Sequence, residues 1–289
     1  MKQLLAFQKE LSMLGLGKDA ENQVNGYAVR HLQTMPSLAE EAYKSETGDF
    51  PICRLHPLGR LAVIIWKLAE IRRKYAAVGA SKKTIDETFG DISLRQRLYF
   101  QKTGRVGLTR ADCFWLRHLA RVNIFKLGVL QYQPMVMTYL EKRADGRPFF
   151  EITESQKARL PEGTPVLNVH IQHGANLGQA QVADSLQAAR RFFSDFLTVT
   201  QFGAMVCFSW LLHSGLRELL PADSRILQFA ANFEVVSETP DNHQAVERIF
   251  GRRYRRKAGY PQQTSLQRAA LRDLSKLGYA LGIIYLDFD

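Results

Sequence analysis

Residues 166–196 read VLNVHIQHGANLGQAQVADSLQAARRFFSDF, which predicts a buried strand, a glycine-containing loop and an amphipathic helix in succession. The strand is predicted over Val166–Ile171 because most of its residues are β-branched or aliphatic. The loop spans Gln172–Gln181 and contains two glycines. The helix is predicted over 183–196, since its apolar residues recur at helical spacing. This succession indicates that the surrounding domain mixes helices with a sheet.

The rest of the second half continues this mixed pattern. Phe125–Met137, the turn after it and Phe149–Thr153 predict a β-hairpin. The further predicted elements, in chain order, are a strand over Ala204–Leu212, helices over Leu216–Leu220 and Ser224–Ala231, a strand over Phe233–Val236, a helix from Thr264 to about Leu277 and a last strand over Tyr279–Phe288. The order of elements therefore predicts an α+β fold with α/β-like character.

The first half has a different, helical pattern. Leu58–Tyr75 carries an apolar stripe at i, i+3, i+4 and i+7 among basic and acidic residues. Met1–Leu14 has similar spacing and carries charges, so we expect an amphipathic helix and not a signal peptide. Thr109, with Asp112 three residues on, predicts the start of another helix. We expect a helical N-terminal domain over residues 1–122, packed on a sheet domain over residues 123–289.

Composition and charge narrow the class of protein. The three cysteines are far apart and form no CxxC pair, which argues against a disulfide framework or a zinc site. The chain has no apolar run long enough for a membrane span, so we expect a cytoplasmic protein without a membrane partner. The net charge is +11, and Arg252–Lys257 alone supplies five basic residues. Such charge attracts coenzyme phosphates or nucleic acid, or forms an ordinary solvated surface.

Several stretches occur together in an order that is characteristic of one bacterial family. The chain resembles acyltransferase-domain proteins that join a helical N-acyltransferase N-terminal domain to a C-terminal domain like that of the GNAT (GCN5-related N-acetyltransferase) enzymes. The stretches that carry the resemblance are Thr103–Leu108, Phe125–Tyr132, Val169–Ile171, Ser185–Phe193, Cys207–Leu212, Leu219–Ile226, Gln228-Phe229 and Thr264–Arg268.

The resemblance implies a fold, a donor and a reaction. The second half would be a GNAT-like mixed β-sheet flanked by helices. The donor would be an acyl-CoA, with acetyl-CoA as the default, and the partner an amine or hydroxyl acceptor that the sequence does not identify. Transfer would be direct, with the acceptor attacking the thioester while both substrates are bound.

The resemblance also implies where the coenzyme binds. A cradle for the pyrophosphate is expected between the fourth strand and the next helix, because a helix N-terminus presents N–H groups and a positive dipole end. The family pattern is Arg/Gln-x-x-Gly-x-Gly/Ala, and here Gly178 and Ala180 match its end while Ala175 replaces its Arg or Gln. An ordinary strand-to-helix loop is the alternative. The candidate coenzyme-binding residues are Ile171, Gln172, Gly174, Gly178 and Ala180.

Four residues are candidates for the chemistry. His170, at the end of the strand, would act as general base, since histidine titrates near neutral pH. Ser209 would hydrogen-bond the substrate, and Glu218 or Tyr285 would protonate the leaving thiolate. Each has a structural alternative as a core or surface side chain. Cys207 would be needed only for an acyl-enzyme route, and we expect it to be a core residue.

Two other functions remain open at this point. A non-catalytic GNAT-like module that senses acyl-CoA or binds a partner would fit the incomplete phosphate-binding pattern. A nucleic-acid-binding protein would fit the positive charge, but the sequence has no RNP motif, zinc-finger spacing or helix-turn-helix pattern. We therefore do not expect nucleic acid as the partner.

Overall fold

The computed structural model describes residues 2–44, 51–144, 146–196 and 201–286. The chain divides into two compact units, Met1–Lys126 and Leu127–Asp289. The helices are α1 Lys2–Met13, α2 Lys18–Arg30, α3 Met35–Lys44, α4 Pro57–Ala77, α5 Lys82–Thr103, α6 Arg110–Ala120, α7 Glu154–Arg159, α8 Gln179–Phe196, α9 Leu216–Leu219, α10 Arg225–Ala230, α11 His243–Phe250 and α12 Ser265–Ala270. The strands are β1 Phe125–Leu127, β2 Leu130–Val136, β3 Pro165–Ile171, β4 Ala204–Ser209, β5 Glu234–Thr239 and β6 Tyr279–Tyr285.

The first unit is built around α4. This helix is buried on several sides at its N-terminal half, so the apolar stripe predicted from the sequence is part of a wider buried surface. Arg60 is buried there because its guanidinium donates to the carbonyls of Leu108 and Cys53, both at 3.0 Å. The helix start predicted at Thr109 is confirmed: Thr109 and Asp112 form a reciprocal capping box at the beginning of α6.

A six-stranded mixed sheet has the order β1-β2-β3-β4-β6-β5, and its strands β2 to β6 lie in the second unit. β2 runs antiparallel to β3, β3 parallel to β4, and β6 antiparallel to both β4 and β5. Because β6 lies between β4 and β5, the last strand of the chain is a central strand. The predicted α+β class and mixed sheet are confirmed.

The residues 149–153 do not form the strand predicted from their apolar character. Phe149 and Phe150 donate backbone hydrogen bonds to the carbonyls of Glu141 and Leu140, and no further ladder follows among the described residues. The Phe150 ring stacks on Tyr279 with centroids 5.9 Å apart. These apolar side chains therefore cover one face of the sheet, and the second strand of the hairpin is β2.

Two other predicted boundaries are wrong. The strand predicted to reach Leu212 ends at Ser209, and a short 3-10 turn follows. The helix predicted to reach Leu277 ends at Ala270, because Asp273 accepts the N–H of Ser275 at 2.9 Å and starts a 3-10 turn instead. Helix α11 was not predicted. Phe288, the predicted end of the last strand, lies outside the described residues.

Among the described residues, no helix combines the length and apolar character needed to cross a membrane.

Candidate active site

The strands β3 and β4 pair with each other for only three residues. Val166, Leu167 and Asn168 pair with Ala204, Met205 and Val206, and the register between the two strands ends there. Each strand continues beyond this point on its outer side: β3 pairs with β2 as far as Ile171, and β4 pairs with β6 as far as Ser209. The carboxyl ends of β3 and β4 therefore diverge, and their facing backbone edges are not joined in a ladder.

Polar side chains occupy one face of the sheet beside this divergence. Gln133 pairs with Asn168, and Gln131 pairs with His170, so all four side chains point to the same face. Gln131 is only 1% exposed. Its Nε2 and the Oδ1 of Asn168 are buried and have no hydrogen-bond partner among the described residues. Buried polar atoms without partners are costly, so this pair is an unusual feature of the sheet face beside His170.

His170 is oriented by a neighbour on β2. Its Nε2 lies 2.9 Å from the Oε1 of Gln133, within hydrogen-bond distance. A histidine whose ring is oriented by a hydrogen bond is a candidate general base.

The loop after β3 and the start of α8 form an accessible surface for an anion. The first N–H groups of an α-helix have no acceptor within the helix, and the positive end of the helix dipole lies there. Asn176 orders the loop, since its Oδ1 accepts the N–H of Gly178 at 3.1 Å. Arg225 of α10 donates to the same oxygen at 3.1 Å, which brings a guanidinium to this loop.

The five predicted coenzyme-binding residues lie around this loop. Ile171 ends β3, and Ala180 is in the first turn of α8. Gly174 has a φ of +76°, which favours glycine. A Cβ at Gly178 would meet the Oε1 of Gln181, the end of a flexible side chain that lies beside the start of α8. Gln172 accepts the N–H of Ala175 through its carbonyl at 3.1 Å.

The other predicted catalytic residues are not gathered at His170. Ser209 ends β4 on the opposite face of the sheet, and its hydroxyl accepts the N–H of Leu211 at 3.1 Å. This hydrogen bond gives the Ser209 side chain a structural role at the end of β4. Glu218 lies on α9, where its carboxylate forms an exposed ion pair with Lys276 at 2.7 Å.

The position of Tyr285 is a correction to the sequence-based hypothesis. It pairs with Ala204 at the beginning of β4, because β6 runs antiparallel to β4. His170 lies four residues beyond the partner of Ala204 in β3, which corresponds to about 13 Å along a strand. The guanidinium of Arg159 lies 3.6 Å from the centre of the Tyr285 ring and also pairs with Glu234. Tyr285 therefore belongs to a structural cluster away from the strand divergence.

Cys207 is fully buried in the middle of β4. Burial raises the pKa of its thiol well above the ordinary value, so the thiolate is not formed near neutral pH. The side chain is a core residue, and a covalent acyl-enzyme at this position has no support in the structure.

We expect Cys207 to be unreactive in the folded protein. Treatment with iodoacetamide at pH 8.5 should leave it unmodified, because its raised pKa keeps it protonated and burial excludes the reagent. In denaturant the same residue should be alkylated, which is the internal control. Peptide mass spectrometry measures both states. Alkylation of native Cys207, or an acyl adduct on it after incubation with acyl-CoA, would contradict the expectation.

Sequence reasoning missed Arg225, Asn176 and the polar pair Gln131 and Asn168. Gln131 and Asn168 stand in strands that read as apolar, and a polar residue in such a strand is the one signal that could have found them. Arg225 and Asn176 are 49 residues apart, and their contact depends on how α10 packs.

The chain has relatives of known family and structure. The family model described as the GNAT-like C-terminal domain matches residues 124–283. The fold is similar to the crystal structure of an acyltransferase in complex with decanoyl-CoA, at a TM-score of 0.71 and 22% identity, covering 96% of this chain and 86% of that chain. A complex of an acyltransferase with decanoyl-CoA and teicoplanin has the same TM-score and coverage at 19% identity. None of the curated protein sequences matches this chain.

At these identities the structural likeness establishes the fold. The family model adds a sequence-level match, and it covers the polar face, the strand divergence and the loop between β3 and α8. Because this match extends over more than half of the residues, the chain belongs to the family with a GNAT-like C-terminal domain.

Proposed function

We propose that the protein is an acyltransferase that moves an acyl group from acyl-CoA directly to an amine or hydroxyl acceptor. The observation that carries the proposal is the divergence of β3 and β4 with an anion-binding loop at the same end of β3. A gap between two strand edges accommodates an extended chain with amide groups, which forms backbone hydrogen bonds as an added strand would. Independent support comes from the acyltransferase structures in complex with decanoyl-CoA, because they show that proteins with a similar fold bind an acyl-CoA.

The loop residues 172–180 and Arg225 would bind the phosphates of the donor. The helix start offers backbone N–H groups, and the guanidinium of Arg225 adds a full positive charge. A guanidinium binds phosphate through parallel hydrogen bonds, which are among the stronger polar contacts in proteins. The donor thioester would then lie further along the divergence, beside His170.

His170 would serve as the base for the acceptor. The acceptor nitrogen or oxygen attacks the thioester carbon and forms the new bond to it, while the carbon–sulfur bond breaks. The acceptor proton passes to His170, and the departing thiolate takes a proton from solvent to give free CoA. His170 then returns its extra proton to solvent, so the proton count balances over the cycle. Gln133 orients the ring through the hydrogen bond at Nε2, at 2.9 Å, so Gln133 is a positioning residue.

Substitution of His170 tests the catalytic part of the proposal. We expect His170→Ala to lower the rate of acyl transfer about 100-fold or more, which is the usual contribution of a general base. Thermal stabilisation of the protein by acyl-CoA should stay unchanged, since donor phosphates bind elsewhere. The exposed His31 in the first unit supplies the matched control, and His31→Ala should leave the rate unaltered. Equal rates for His170→Ala and the wild type would refute the role.

The experiment that tests the function is release of CoA thiol with acetyl-, octanoyl- and decanoyl-CoA and a panel of amines and alcohols. Thiol release that requires an acceptor supports the proposal. If acyl-CoA raises the melting temperature and no acceptor triggers thiol release, the non-catalytic sensor is the correct function. If acyl-CoA neither stabilises the protein nor reacts, the proposal fails.

A further inference from the structure

The second unit contains a pocket that the proposed chemistry does not yet use. Its volume is ≈ 680 Å³, a size typical of sites for small molecules. Leu140, Phe149 and Tyr279 form its apolar wall. The rings of Phe149 and Tyr279 have centroids 5.8 Å apart and are inclined at 40°. The Arg143 guanidinium lies 5.0 Å from the centroid of the Phe149 ring and Phe150 stacks on Tyr279, so a flat apolar group would pack on the remaining surfaces of these two rings.

The pocket is attached to the end of β4. The hydroxyl of Tyr279 donates to the carbonyl of Phe208 at 3.1 Å. The N–H of Trp210 donates to the Oε1 of Gln244, a second wall residue, at 3.1 Å. These two bonds lie on either side of Ser209, the last residue of β4. The wall of the pocket is therefore hydrogen-bonded to β4 where it has separated from β3.

Charged side chains give the pocket a preference for anions. Arg143 pairs with Asp241 at 2.5 Å, so this pair is close to neutral. Arg253 also lines the pocket, and it donates to the side-chain oxygen of Asn242, a neutral amide. That contact leaves the positive charge of Arg253 in place. Arg253 belongs to the exposed basic run Arg252–Lys257, which raises the positive potential at the pocket mouth.

We propose that this pocket binds the acyl acceptor, and that the acceptor is a small molecule with a flat apolar body and an anionic group, a carboxylate or a phosphate. The apolar body packs on Phe149 and Tyr279, and the anionic group binds Arg253. The amine or hydroxyl at the other end of the molecule then faces the end of β4. The assignment of the ligand as acceptor rests on the proposed acyl transfer. The preference of the pocket for anions is independent of that proposal, because it rests on the side chains that line the pocket.

A matched set of four probes tests the binding preference without acyl-CoA. The probes are phenylacetate, phenyl phosphate, benzylamine and benzyl alcohol, measured with the full chain by saturation-transfer NMR and titration calorimetry. We expect at least one of the two anions to bind tenfold or more tightly than the cation and the neutral alcohol. The tighter anion identifies carboxylate or phosphate as the recognised group. Equal binding of all four probes, or of none, would overturn the proposal.

Two arginines of the same basic run separate pocket binding from general charge. Arg253→Gln should weaken the preferred anion about tenfold, because the group that it binds is lost. Arg256→Gln removes the same charge outside the pocket lining and should change affinity less than twofold. An equal effect of the two variants would show diffuse attraction and refute the site.

A competition measurement connects the pocket to the reaction. The preferred anion should inhibit thiol release competitively with any acceptor found in the amine and alcohol panel. Selective binding without competition would show that the pocket is real and its ligand is not the acceptor. Absence of thiol release with selective binding would show that the proposed reaction fails and the pocket preference stands.

Discussion

Replacing Arg225 with glutamate is expected to weaken the binding of CoA about 100-fold. The guanidinium lies 3.1 Å from the side-chain oxygen of Asn176, in the loop that precedes α8. A hydrogen bond to a charged group contributes about 1.5–3 kcal/mol, and each 1.4 kcal/mol corresponds to a tenfold change in affinity. Reversal of the charge removes that contact and adds repulsion of the phosphates.

Calorimetric titration with CoA measures the Arg225→Glu effect. Arg217→Glu is the matched control, because Arg217 is an exposed arginine on α9 in the same unit. The control should change affinity less than threefold. The difference between the two variants should shrink at high salt, since ions screen exposed charges. A similar loss for both variants would contradict a specific phosphate contact at Arg225.

Removal of the Asp91 carboxylate is expected to destabilise the first unit by about 1–3 kcal/mol. Asp91 is 2% exposed on α5. Its Oδ2 accepts the indole N–H of Trp115 at 2.6 Å and the guanidinium of Arg95 at 3.1 Å. Asp91→Ala leaves the indole N–H of Trp115 without this acceptor, while Arg95, whose side chain is 23% exposed, keeps Asp112 at 3.0 Å as a partner. An unmade hydrogen bond at a largely enclosed donor costs more than the original bond contributed.

Urea unfolding followed by tryptophan fluorescence measures the Asp91→Ala effect. Asp86 is the matched control: it lies on the same helix, its side chain is 36% exposed, and it pairs with Lys82 and Arg72. Exposed pairs contribute about 0–1 kcal/mol, so Asp86→Ala should shift the midpoint much less. Asp91→Asn keeps an acceptor oxygen and should fall between the two. Equal midpoints for Asp91→Ala and Asp86→Ala would refute the explanation.

The sequence predicted correctly those helices and strands that are determined by residues close to one another in the chain. The capping box at Thr109 and the succession of β3, loop and α8 depend on residues close in the chain, and both are present. The prediction of a strand at 149–153 was wrong because the same apolar side chains can belong to a strand of the sheet or to a loop that covers a face of the sheet. The choice between them depends on Tyr279, which is far away in sequence.

The candidate site was predictable in part for the same reason. His170 and the coenzyme loop follow one strand, so the sequence places them together. Tyr285 could not be located from the sequence, because its distance from His170 depends on β6 inserting between β4 and β5. The contact of Arg225 with Asn176 and the pocket at Tyr279 likewise depend on long-range packing.

The three paired residues between β3 and β4 have a consequence for the stability of the sheet. Among the described residues, the backbone connection between the group β1-β2-β3 and the group β4-β6-β5 is short: it consists of these pairs and an adjacent hydrogen bond from the N–H of Gly203 to the carbonyl of Pro165 at 2.9 Å. Amide hydrogens of Val169–Ile171 and Cys207–Ser209 on the facing edges should exchange with solvent faster than those on the outer edges. A bound donor that hydrogen-bonds to both edges would join the two groups over a greater length. Binding of the donor would then slow the exchange of these amide hydrogens at the centre of the sheet. It would also raise the free energy of unfolding of the second unit.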